Sequence, residues 1–163
     1  MFLLISIDVG DIMISEPEFY ECIRSINSRK EQLLISANKL KENLSSYFQS
    51  HAHPQLKAVF EVNHDIQSKK LHISSKALSV FPEPMDRLVI HDLVPLWKFS
   101  YQIEKDKNKI NVLEFYLSSQ GNVSFDPKGV INIGFYDQTN LIEDIILRLF
   151  NNLIDNKLIT AIS

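Results

Sequence analysis

The chain has 163 residues, 45% hydrophobic and 23% charged, with four glycines and one cysteine. This length suits one domain able to bury a core. A net charge of −3 argues against a nucleic-acid binder, which usually carries a concentrated basic face. Average usage would supply about eleven glycines in a chain of this size. The four present, Gly10, Gly121, Gly129 and Gly134, form no G-x-G-x-x-G and no G-x-x-x-x-G-K-[ST]. A Rossmann fingerprint, a Walker-type phosphate cradle and a G-x-S-x-G nucleophile elbow are therefore excluded.

Residues 2–7 are apolar and read as a short buried strand, with Asp8–Asp11 as a turn. The opening is too short to span a membrane, lacks a cationic start and meets Asp8 at once, so a soluble cytoplasmic protein is expected. The first helix begins at Ser15. Ser15 as N-cap places Glu18 at N3, the spacing of a capping box, with Pro17 in the first turn. Phe19, Ile23, Ile26, Leu33, Ala37, Leu40, Leu44 and Tyr47 then trace one helical stripe. A second capping box at Ser28 and Glu31 marks a candidate kink near Asn27–Ser28. Lone Cys22 permits no internal disulfide and no cysteine-based zinc site, fits a reducing compartment, and reads as a small buried residue.

Pro54 ends the helix after His51-Ala-His. Leu56, Ala58, Phe60 and Val62 alternate with more polar neighbours and predict a half-buried strand, followed by a second over Lys70–Leu78. Phe81-Pro-Glu-Pro84 reads as a break, and Asp86–Val94 fits a short helix or a strand. From Pro95 the period is two, with short connections at Lys105–Lys109, Ser118–Asn122 and Asp126–Gly129. Strands joined this closely must be antiparallel, so residues 95–136 predict a four-stranded meander. A helix from about Asn140 to Ile162 closes the chain, its apolar face wider than one sheet requires.

Charge is unevenly placed. Residues 1–21 carry five acids (Asp8, Asp11, Glu16, Glu18, Glu21) and no base, whereas 22–109 carry fourteen bases and nine acids. Such a dipole can steer a charged partner. The histidines at 51, 53, 64, 72 and 91 lack the i, i+3 or i+4 spacing that gathers metal ligands on one helix face.

Two short motifs resemble known families. Leu71-His-Ile-Ser74 has the His-x-Ser form of 2H phosphoesterases, which need two copies, and no second copy exists. Leu4-Ile-Ser-Ile-Asp-Val-Gly10 resembles the first metal-binding strand of RNase H-like nucleases. That resemblance implies Asp8 as a metal ligand, with Glu61 and Asp144 completing an acidic cluster for two-metal cleavage. It also implies a hairpin after the strand, where the sequence reads directly into a helix. The meander aromatics Trp97, Phe99, Tyr101, Phe115 and Tyr116 are a candidate stacking platform, though strict period two on a covered sheet favours core.

The expected fold is one α+β domain over 1–163. A long N-terminal helix and a C-terminal helix pack on a largely antiparallel sheet of five to seven strands, an order compatible with a helix-grip arrangement. The expected function is a non-enzymatic module that binds and neutralises or chaperones a partner protein, as immunity or effector-binding proteins do. Asp8, Asp11, Glu16, Glu18 and Glu21 are the candidate contact for a basic partner. No cofactor, metal or membrane is expected, and self-association could run through the C-terminal helix. The alternatives are an RNase H-like metal-dependent nuclease and a helix-grip small-ligand carrier.

Overall fold

The computed structural model describes residues 2–7, 10–128 and 138–159, with side chains described over 14–128 and 140–159. Strand β1 (Phe2–Ile7) pairs antiparallel with β2 (Gly10–Ser15), in a register running from Phe2 opposite Ser15 to Ile7 opposite Gly10. A hairpin therefore follows the first strand, where the sequence reads a turn into a helix. Asp11 lies within β2 rather than in a turn.

Helix α1 (Glu16–His51) is continuous over 36 residues. Ser15 caps it as the sequence predicts: its Oγ accepts the Glu18 N–H at 3.3 Å and donates to Glu18 Oε1 at 2.8 Å. At the candidate kink the helix runs on, with Ser28 Oγ donating to the Ser25 carbonyl at 3.1 Å. The buried stripe is Cys22, Leu33, Ala37, Leu40, Leu44 and Phe48. In the first half Cys22 faces the core and Ile23 is 39% exposed, a shift of one residue from the predicted stripe.

Residues 54–62 depart from the expected strand. Pro54–Val59 form α2, capped by His53, whose Nδ1 accepts the Gln55 N–H at 3.2 Å, with Pro54 opening the first turn. Strand β3 (Glu61–Asp65) and β4 (Lys70–Ser74) form an antiparallel hairpin. Its inner face carries Val62 and Ile73, which sit opposite each other. Beyond β4, Ser75 and Val80 bridge across a turn that takes the place of the predicted strand end at Leu78.

Strand β5 (Glu83–His91) fills the stretch read as helix or strand, and it begins inside the predicted Pro-rich break. It lies at the edge of a four-stranded sheet of order β5-β6-β7-β8, with β6 Val94–Lys105, β7 Asn108–Leu117 and β8 Val123–Ser124. Proline lacks an N–H to give to a ladder, and Pro84 is compatible with an edge strand for that reason. The meander is antiparallel as predicted. Its last predicted strand, 130–136, lies outside the described residues. Phe99, Tyr101, Phe115 and Tyr116 are each at most 3% exposed and belong to the core.

Helix α3 (Gln138–Asp155) stops seven residues short of the predicted end. Lys157 adopts φ 56°, Leu158 N–H bonds to the Leu153 carbonyl at 2.9 Å, and Lys157 N–H bonds to the Ile154 carbonyl at 3.0 Å. These are the two bonds of a Schellman stop, made here without glycine.

By contacts the chain divides into two compact units. The first holds Met1–Ala37, Arg87–Lys98 and Phe115–Phe135, and the second Asn38–Asp86, Phe99–Glu114 and Tyr136–Ser163. In the first, Val89, Leu96 and Tyr116 form a small cluster with Val94 against it. In the second, α3 buries Leu141, Ile142, Ile145, Ile146, Leu149 and Leu153, all at most 1% exposed, and Asn152 Nδ2 donates to the Val112 carbonyl at 2.7 Å. Among the described residues no helix is long and apolar enough to cross a membrane.

Candidate partner-binding surfaces

In the first unit, the opening turns of α1 and the β5–β6 connection enclose a cleft of about 450 Å³. Helix periodicity brings Glu18, Glu21 and Arg29 to it on one side of α1, and Asp92–Val94 form the opposite wall. Two of the five predicted acids thus meet here. Glu18 is already engaged with Ser15, and Glu21 is exposed. Glu16 is half-buried at the helix start and does not line the cleft. Asp8 lies outside the described residues, and of Asp11 the backbone alone is described. Arg24 and Arg29 interleave with the acids, so the cleft is of mixed charge.

Cys22 lines this cleft yet is 5% exposed, and burial raises its thiol pKa. The thiolate is the nucleophilic form, so this position favours an inert thiol. Beside the cleft, His91 is 3% exposed and neither ring nitrogen has a hydrogen-bond partner among the described residues, although Nε2 lies 3.3 Å from Asp92 Oδ2. At that separation the missing hydrogen bond is a matter of direction rather than distance.

The second unit carries a groove of about 480 Å³ between α2 and α3. Its walls are Leu56, Val59 and Phe60 on one side and Ile146, Leu147 and Phe150 on the other, with His53, Gln55 and Glu143 at the rim. The sequence hides this groove because the alternation over 56–62 predicts a strand. The signal available was the i, i+3, i+4 spacing of Leu56, Val59 and Phe60 directly after His53-Pro54. Leu147 is 57% exposed, in contrast to its six buried neighbours on α3.

The remaining candidates are dispersed. Glu61 lies 3.6 Å from Lys76 Nζ at the surface, and Asp144 is half-buried on α3. Among the described residues no three His, Cys, Asp or Glu side chains gather to hold a metal. His72 is exposed opposite Asn63 on the outer face of the β3–β4 hairpin, so the His-x-Ser pair faces out from that hairpin. His51 stacks at a tilt on Tyr47, ring centres 5.6 Å apart. Comparison of the chain with protein-family models, with curated proteins and with solved structures gave no match in any of the three.

Proposed function

We propose that this protein is a non-enzymatic interaction module that neutralises or chaperones a partner protein. On this reading the α2–α3 groove receives an amphipathic helix of the partner. The exposure of Leu147 carries it: a large apolar side chain stays in water on the groove wall, beside half-buried Phe150 and away from the buried face of its helix. A groove with apolar walls and a polar rim suits the helix-in-groove mode, in which anchors at i, i+3 and i+4 enter successive pockets. Among the described residues its rim holds Glu143 and no lysine or arginine, which matches the basic partner expected from the N-terminal acids. A homo-oligomer through α3 would compete for the same strip, Leu147 and Phe150.

The test is affinity capture from the native cell with the wild type and with Leu147→Asp in parallel. One protein bound by the wild type at micromolar affinity and lost with Leu147→Asp supports the reading. No such partner, or binding untouched by the substitution, ends it. The β1–β2 hairpin favours a nuclease as second reading, since the RNase H resemblance calls for a hairpin there. Mg²⁺-dependent cleavage abolished by Asp8→Asn would put that reading first.

A further inference from the structure

We propose that the N-terminal half of α1 pairs antiparallel with the same segment of a second copy of this chain, about a two-fold axis at Asn27. The surface is in the first unit and is independent of the α2–α3 groove. At about 100° per residue, Tyr20, Ile23, Asn27 and Leu34 fall within roughly 60° of one another on the helix. This stripe lies to the side of the buried one. Tyr20 is 57% exposed, Ile23 39% and Leu34 42%, with Ile35 at its edge 65% exposed. Asn27 is exposed as well. Four large apolar side chains within four turns, all reaching water, exceed the isolated surface hydrophobe that needs no explanation.

The choice of a second copy rests on self-complementarity. An isologous contact requires each residue to meet its counterpart across the axis. With the axis at Asn27, Tyr20 meets Leu34 and Ile35 of the second copy, and those residues meet its Tyr20. Arg24 and Glu31 lie together on one flank of the stripe. In an antiparallel pair that flank faces itself, so Arg24 meets the second copy's Glu31, twice over. Lys30, on the other flank, lays its aliphatic stem along the second copy's Ile23. In a parallel pairing each flank would face the opposite flank of the second copy, so Arg24 and Glu31 would not meet there, and their pairing belongs to the antiparallel register. Asn27 meeting Asn27 on the axis places one polar layer between two apolar ends, the device by which helix pairs fix register.

The experiment is sedimentation of the full chain over a concentration series into the high micromolar range, with circular dichroism to confirm folding. The wild type is expected to dimerise. Leu34→Glu is expected to leave a folded monomer. Arg24→Glu or Glu31→Arg alone should weaken the dimer about tenfold, and the double swap should restore it to within a few-fold. In a Cys22→Ser background, Asn27→Cys should cross-link on oxidation and Tyr20→Cys should not. A monomer at every concentration, a dimer indifferent to Leu34→Glu, or a double swap without recovery would overturn the proposal, and equal cross-linking at both positions would overturn its antiparallel register.

Discussion

Lys41 and Asp86 meet inside the second unit, with Nζ 3.2 Å from Oδ2 and the two side chains 3% and 14% exposed. The ammonium also donates to the Lys69 carbonyl at 2.6 Å, so one helix residue holds both the β3–β4 turn and the start of β5. Removing one member of a buried pair leaves the other desolvated and uncompensated. Asp86→Ala should therefore lower stability by about 3–5 kcal/mol. Lys41→Met should cost less, about 1–2 kcal/mol, because the Asp86 carboxylate is the better exposed partner and regains water. The pair of substitutions Lys41→Met and Asp86→Leu should recover most of the loss. Urea unfolding midpoints at unchanged slope give the test, and an Asp86→Ala loss below about 1 kcal/mol would refute the assignment.

Nearby, Tyr101 is 1% exposed and its hydroxyl donates to the Leu71 carbonyl at 2.8 Å. Burial, followed by the negative charge of Asp86, raises the phenol far above its ordinary value. A folded pKa above the unfolded one gives stability that is complete below about pH 10 and declines as pH rises beyond it. Tyr101→Phe should cost about 1–2 kcal/mol at neutral pH, through the unpaired Leu71 carbonyl. That deficit should narrow above pH 10. Absorbance at alkaline pH should show Tyr101 titrating only as the protein unfolds, a step absent from Tyr101→Phe.

The β3–β4 turn has the opposite sign. Ser68 Oγ donates to Asp65 Oδ2 at 2.9 Å and Gln67 N–H to Oδ1 at 3.0 Å, and these bonds hold the Asp65 carboxyl below its usual range, the Ser68 bond most. A depressed folded pKa gives stability present above the unfolded value and lost as pH falls through the folded one. The stability difference between wild type and Asp65→Ala should thus be open above about pH 4 and close at lower pH. The Asp65 carboxyl carbon shift, followed by NMR, should show a midpoint below that of an unfolded aspartate. A midpoint at or above the unfolded value would refute the claim.

Much of the fold was legible because the deciding residues act locally. Ser15 with Glu18 marks a helix start in any context, and the period-two run after Pro95 admits one kind of pairing. What escaped depends on turns that carry no signal. Lys69, Ser79, Asp92, Leu93, Asp106, Lys107 and Lys157 all adopt positive φ, the region in which a sequence reader looks for glycine. Asp92–Leu93 between β5 and β6, and Asp106–Lys107 between β6 and β7, have positive φ at both positions, as a type I′ hairpin turn requires. Asn-Gly or Asp-Gly there would mark β5 as a strand. The α3 stop at Lys157 is hidden for the same reason. The groove escapes with α2, because the helical spacing of Leu56, Val59 and Phe60 covers too few residues to outweigh the alternation over 56–62. The acidic cleft is half legible: helix spacing brings Glu18 and Glu21 together, and the same spacing sets Arg24 and Arg29 beside them, so the acids alone do not give its charge.

Those turns give a prediction of their own. Lys107→Gly creates the favoured Asp-Gly turn, and Lys157→Gly the favoured helix stop. Each relieves a left-handed residue at a cost in unfolded-chain entropy, for a net gain of about 0.5–1 kcal/mol. Both positions are exposed, so no packing is lost. A rise in thermal midpoint is expected for each and near-additivity for the two together. A fall would mean that the lysine side chains hold the turns by contacts of their own.

Leu147 and Leu149 are two residues apart on α3 and should answer truncation in opposite ways. Leu149 is fully buried, so Leu149→Ala should cost about 2–5 kcal/mol through lost burial and the cavity left behind. Leu147 is 57% exposed, and Leu147→Ala should change stability by about 0.5 kcal/mol or less. A side chain that the fold does not need, held in water on the wall of an apolar groove, is the arrangement a docking surface requires. If Leu147→Ala proves as costly as Leu149→Ala, Leu147 is part of the core and the groove loses its anchor. If it is neutral for stability and weakens capture of the partner, the separation of fold from function is located at one residue.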